Sequence, residues 1–308
     1  MGIPSSISEH IYKSEDSFPA PSERLKLNKA IDTTRRFISQ HSDRLDIIEE
    51  KFVLADLYVG RGEPGDYEAA KNLYHDILDR GGNPYLRART LIGLAELSVP
   101  YRNETTAAIE LCERAGKLLQ KLDREVHNFP TFSFFRSKAY VIEADLRITR
   151  DEKGDHQKAL KLHEKIIKDK KAHWYFKGRA LLGKAELILY HYRKKLNEGI
   201  NLARKAHTLL KGRPGDYFTI KSRIVEAECR VQHGTRRDFE IAERLLIEVV
   251  KSPYVYTDLM ARAKLDLAEI QEIPKAQQML KEVQEMEGLD PYIAQKVKLL
   301  ETKLSEMR

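Results

Sequence analysis

Ala55-Asp56-Leu57 sets a pattern that returns as Ala95-Glu96-Leu97, Ala144-Asp145-Leu146, Ala185-Glu186-Leu187, Ala227-Glu228-Cys229 and Ala268-Glu269-Ile270. Successive alanines stand 40, 49, 41, 42 and 41 residues apart. A near-constant interval of this size marks stacked supersecondary units, none of which buries its apolar face without a neighbour. Each alanine sits among apolar residues with helical spacing, and strand-like alternation is absent. Further along each unit a second small residue opens another helical segment: Ala70, Ala108, Ala159, Gly199, Ala242 and Ala276.

Turn residues divide these segments. Gly60 to Gly65, Pro100, Gly154, the polar run Arg193 to Asn197, Gly234 and Pro274 fall inside the pairs. Gly81-Gly82-Asn83-Pro84, Gly212-Arg213-Pro214-Gly215, Ser252-Pro253 and Gly288 to Pro291 fall between them. Gly accepts the left-handed cap that ends a helix, and Pro is tolerated in the first helical turn. The pattern predicts an all-α array of helix hairpins. Small residues at fixed places have a steric reason, because two helices approach closely only where neither presents a large side chain.

Length and charge fit an elongated array. A repeat protein of 308 residues grows end to end and needs no single large core. Lys and Arg number 54 against 47 Asp and Glu, a mild excess of +7 on a mixed, soluble surface. The excess is concentrated: residues 151 to 213 hold 17 basic and 7 acidic residues, and the remainder is slightly acidic. Cys112 and Cys229 are the two cysteines and lie in different repeats, which gives neither a disulfide framework nor a Cys-based zinc site. The N-terminus has no basic start followed by an apolar stretch, and the most apolar window, Ala180 to Tyr190, is broken by Lys184 and Glu186. No membrane association is expected, and a reducing, cytoplasmic setting is.

Leu54-Ala55-x-x-Tyr58 resembles the first helix of the tetratricopeptide repeat, and Gly65-Asp66-Tyr67-Glu68-Ala69-Ala70 resembles its turn into the second helix. Gly154-Asp155-His156-Gln157-Lys158-Ala159 repeats that turn, and Ala159-Leu160-x-x-His163-x-x-Ile166 follows the second helix. The resemblance spans roughly residues 45 to 286. Its period is nearer 41 than 34, the first-helix Trp is missing, and Ser98, Arg147, Arg230 and Gln271 stand where Tyr58 does. It therefore looks like a divergent member with long repeats. The resemblance implies a right-handed α-α superhelix of about six helix hairpins plus terminal helices. The array is expected over 22–286, after a partly disordered segment 1–21 and before a C-terminal capping helix over 287–308. Ser22 to His41 reads as an orphan second helix.

The resemblance also implies that first helices line a concave groove that binds peptides. Six residues before each anchor alanine stand Glu49, Arg89, Lys138, Arg179, Lys221 and Arg262; three before stand Phe52, Ile92, Val141, Leu182, Ile224 and Leu265. One after stand Asp56, Glu96, Asp145, Glu186, Glu228 and Glu269; four after stand Val59, Val99, Ile148, Leu189, Val231 and Glu272. At 100° per residue the charged rows lie side by side next to an aliphatic strip. Two readings are open. The rows form a groove for a basic or amphipathic peptide, or the carboxylates pair with basic groups on the next helix and the aliphatics are core. Tetratricopeptide members that clamp acidic C-terminal tails use Lys and Asn in these rows, so the resemblance argues against that ligand class here.

Two further features add alternatives. Lys158, Lys161, Lys165 and Lys168 share a helical face, followed by His173-Trp174-Tyr175-Phe176 and Tyr190-His191-Tyr192. This is the composition of a nucleic-acid-binding surface, and equally of a solvated outer face with aromatics packed between repeats. Asn128-Phe129-Pro130-Thr131-Phe132-Ser133-Phe134-Phe135 lies in the one interval of 49, as core or as a docking loop.

Catalytic readings find no support. Gly60-Arg61-Gly62-Glu63-Pro64-Gly65 matches a dinucleotide fingerprint in letters but follows a helix, and His163-Glu164 lacks the second His of a zinc-protease helix. No enzyme, cofactor or metal is expected. A scaffold or adaptor for another protein is, with nucleic-acid binding, a structural-subunit role and self-association as alternatives.

Overall fold

Fourteen α-helices and no strand occur among the described residues of the computed structural model, which are 21–41, 47–98, 104–126, 130–211, 217–253, 255–287, 289 and 291–306. The expectations for 1–20, Pro100, Asn128 and Phe129, Gly212 to Gly215, Gly288 and Asp290 lie outside them. The helices fall into two compact units divided between Ala159 and Leu160.

The first unit holds α1 (Pro21–Gln40), α2 (Ile47–Arg61), α3 (Asp66–Arg80), α4 (Pro84–Ser98), α5 (Thr105–Glu125), α6 (Pro130–Arg150) and the start of α7 (Asp155–Lys168). The second holds the rest of α7, α8 (Trp174–His191), α9 (Leu196–Leu210), α10 (Tyr217–His233), α11 (Arg236–Val250), α12 (Thr257–Ala268), α13 (Ile273–Gln284) and α14 (Pro291–Glu306). Chain neighbours pack as antiparallel hairpins, so that Lys51 near the start of α2 meets Asp76 near the end of α3 at 2.5 Å. The all-α helix-pair architecture is as the sequence period predicts.

The anchors explain the close packing. Ala55, Ala95, Ala144, Ala185 and Ala227 are wholly buried and Ala268 nearly so, as are Ala70, Ala108, Ala159, Ala242 and Ala276. Two repeats go further and place Gly two residues before the anchor. A Cβ on Gly93 would stand 2.6 Å from the Tyr74 ring, and one on Gly183 would stand 2.5 Å from His163 Nε2. Glycine there makes room for a large side chain from the preceding second helix.

The turn into the second helix is closed three times by a side-chain donor on an Asp carboxylate. Arg61 meets Asp66 at 2.6 Å, Arg150 meets Asp155 at 2.8 Å, and His233 meets Asp238 at 2.6 Å, always five residues on. The Asp66 and Asp155 side chains also accept the backbone N–H of Glu63 and Glu152. Gly65 and Gly154, both left-handed at φ 88° and 90°, let the chain reverse just before the carboxylate.

The 49-residue interval reflects length within helices: α5 and α6 each run 21 residues against 15 for α2 to α4. Phe132 is buried in α6, and Phe135 joins Tyr85 with ring centres 5.7 Å apart. The described part of the Phe-rich segment is therefore helical, with Phe132 in the core, Phe135 packed against it and Phe134 part-buried. Pro274, expected as a turn, lies in the first turn of α13, where its missing N–H costs nothing. The polar run Arg193 to Asn197 forms a short 3-10 turn over Arg193–Lys195 before α9 begins.

Candidate functional site

The charged rows meet each other. Within the first unit, Arg89 reaches Asp56 of the preceding repeat at 3.7 Å and Lys138 reaches Glu96 at 2.8 Å. Within the second, Lys221 reaches Glu186 at 2.9 Å and Arg262 reaches Glu228 at 2.5 Å. The basic residue six before one anchor thus pairs with the acidic residue one after the preceding anchor. Helical phase puts both on the same face, and the repeat stagger brings them level.

Burial changes along this ladder. Asp56 keeps half its side chain in water and Glu96 about a quarter, whereas Glu186, Lys221, Glu228 and Arg262 are all less than a tenth exposed. Asp145 and Arg179 are half-buried, with Arg179 over the Phe218 ring at 4.2 Å, and Glu269 is exposed. Phe52, Ile92, Val141, Leu182, Ile224 and Leu265 are buried, at most 4% exposed. This aliphatic row is core, and Phe52 also carries the Arg89 guanidinium 4.1 Å above its ring. The pairing reading left open by the sequence describes these side chains.

At its C-terminal end the ladder opens into a cavity of about 210 Å³ between α8, α10, α12 and α14. Its floor carries Glu228 and Asp266, its sides Tyr190, Tyr292 and Lys296, and its apolar lining Leu189, Val231 and Leu299. Arg193, Gln232, Glu269 and Gln295 complete it. Arg262 donates to both Glu228 oxygens, from Nε at 2.9 Å and from Nη2 at 2.5 Å, and the same Nη2 reaches the Tyr190 hydroxyl at 2.9 Å. Such bidentate, charge-assisted pairs fix geometry as well as charge. The Tyr190 and Tyr292 hydroxyls lie 3.3 Å apart.

Two adjacent carboxyls in this floor behave differently. Burial alone would raise Glu228; Arg262 and then Lys296 outweigh it and hold the carboxyl below its usual range, aided by the hydrogen bonds from Arg262. Burial dominates at Asp266 and, with Glu228 beside it, pushes the carboxyl up to about 8 against the pull of Lys296. Asp266 is 3% exposed; Lys296 contacts its Oδ1, while Oδ2 has no donor among the described residues.

Part of this lining follows from the repeat rows: Glu228 and Glu269 one after the anchor, Leu189 and Val231 four after. Asp266, Lys296, Tyr190 and Tyr292 do not. A signal for Asp266 was present, since the position two before the anchor holds Val53, Gly93, Ile142, Gly183 and Val225 elsewhere. Lys296 has no such signal, because α14 lies outside the period and supplies its cation from a new register.

The other candidates sit elsewhere. Lys158, Lys161, Lys165 and Lys168 are exposed along α7, and Trp174 packs edge-on to Tyr175, which in turn meets Phe218. No cluster of His, Cys, Asp and Glu suited to a metal ion and no helix long and apolar enough to cross a membrane occurs among the described residues.

The chain matches no protein-family model and no curated protein. Solved structures similar to it include BtubC (BKLC) from P. vanneervenii, at 18% identity and TM-score 0.46, covering 75% of this chain and 90% of that one. Yeast Tom70 is similar at 15% identity and TM-score 0.49, covering 95% of this chain; the match spans 62% of Tom70.

Proposed function

We propose that the chain is a non-catalytic helical-repeat scaffold that binds a basic or amphipathic segment of a protein partner at the C-terminal end of its charge ladder. The observation that carries this reading is the cavity between α8, α10, α12 and α14, where carboxyls lie beneath an opening with an apolar lining. Elsewhere along the rows Asp56, Glu96 and Glu186 are matched by Arg89, Lys138 and Lys221, and the residues three before each anchor are core. Glu228 and Glu269 are the members of the acidic row that line this cavity. A segment with Lys or Arg beside apolar residues complements such a surface in charge and shape.

Selection from a random displayed-peptide library on the immobilised full chain tests it. Enrichment of Lys- or Arg-containing amphipathic peptides is expected, reduced at least tenfold by Glu269→Lys. Enrichment of acidic peptides, or equal selection by Glu269→Lys, would contradict it. The exposed lysines of α7 support nucleic-acid binding as a second reading, whose mark is salt-sensitive binding of single-stranded RNA lost in Lys161→Glu/Lys165→Glu/Lys168→Glu.

A further inference from the structure

We infer that the cavity at the end of the ladder is a subsite for one cationic side chain, the ammonium or guanidinium of a lysine or arginine in the partner segment. This rests on the scaffold reading and adds the chemistry of its anchor. Three observations converge on it.

First, one buried carboxylate oxygen of the cavity has no donor placed on it. Asp266 Oδ2 is buried in its floor with no hydrogen-bond partner among the described residues, and Glu228 is the adjacent carboxyl. A buried acceptor left unmatched is costly, and the group that removes the cost is an N–H donor.

Second, the walls suit an aliphatic stem. Leu189, Val231 and Leu299 form an apolar lining, and Leu299 is 54% exposed. Lysine and arginine bury their methylenes against such surfaces and carry the charge at the tip. A volume of about 210 Å³ lies below the range for drug-sized ligands and fits a single side chain.

Third, Tyr190 and Tyr292 flank the floor with their hydroxyls tied to each other and to Arg262. Their hydroxyls are held in place before a ligand arrives and their oxygens can accept from a cation. Arg262 and Lys296 are occupied by Glu228 and Asp266, so the incoming group adds to the network without displacing its internal pairs.

Methyl chemical shifts of the full-length protein, followed during titration with Nα-acetyl-lysine methylamide, test the assignment. Saturable shifts at Leu189, Val231 and Leu299 are expected, with the uncharged Nα-acetyl-norleucine methylamide at least tenfold weaker. Asp266→Asn, which keeps the shape but supplies its own donor to Glu228, is expected to weaken the lysine amide tenfold or more. Leu299→Trp, which narrows the opening and leaves the ion network intact, is expected to do the same. Equal binding of the two amides, or full binding by both variants, would overturn the subsite. Spermidine binding tenfold tighter than the lysine amide would assign the cavity to free amines and overturn the partner segment as its source. If peptide selection succeeds while the amide titration fails, only the subsite falls. A bound amide with no selected peptide leaves the cation chemistry standing and removes the scaffold reading.

Discussion

His163 shows how a single residue can serve the fold at the expense of its own polarity. It lies wholly buried in α7 against Gly183, and neither ring nitrogen has a partner among the described residues. Burial, then Arg179 and Lys184, lower its pKa to about 3. The folded chain therefore holds the imidazole neutral while the unfolded chain protonates it near 6.5. The stability it contributes is fully present above 6.5 and is lost as pH falls from there toward 3. Urea midpoints from pH 7.5 to 4.5 are expected to fall more steeply for wild type than for His163→Leu; parallel curves would contradict the neutral, unpartnered histidine. Lys221 is the opposite case, a charge buried with its partner. Among the described residues Lys221→Met leaves Glu186 with Arg262 at 3.8 Å as its basic partner and should cost about 3 kcal/mol. Adding Glu186→Leu should recover most of that loss, because paired charges are replaceable by apolar residues more cheaply than they are separable. A double-mutant cycle with no coupling would remove the ladder from the account.

Helices in each unit are set by where small residues fall, and this is the most legible part of the chain. The alanine period and the second small residue correspond to observed helices and their crossings, as do Gly65, Gly81, Gly154 and Gly234 among the punctuating residues. Ala185→Leu or Ala242→Leu places a large side chain at a fully buried crossing and should cost about 1 to 3 kcal/mol by overpacking. Wild-type thermal stability for both variants would show that the crossings lie elsewhere. Less legible was the partnership of rows between helices. The sequence shows that Glu228 and Arg262 share a phase, but not that the stagger of successive repeats brings them to 2.5 Å. Burial differs along the rows for the same reason: periodicity assigns a face, whereas the depth of that face depends on what the next element covers. The turn pairs such as Arg150 with Asp155 were readable in principle from their fixed spacing of five, which the tetratricopeptide turn alone does not include.

At the scale of the chain, the repeats supply a series of internally neutralised interfaces, and the site arises where the series stops. The last acidic positions meet α14, which brings Lys296 and Tyr292 but leaves a cavity over Asp266. That break in the period hides Lys296 from any argument based on repetition. It also makes the C-terminal end of the second unit chemically unlike the other rungs. Hydrogen–deuterium exchange of the full chain, with and without a synthetic amphipathic helix of alternating Lys and Leu turns, tests this most directly. The account predicts slowed exchange confined to 189–193, 228–232, 266–269 and 292–299. Slowed exchange along the exposed lysines of α7, or none at the end of the ladder while the peptide is bound, would contradict it.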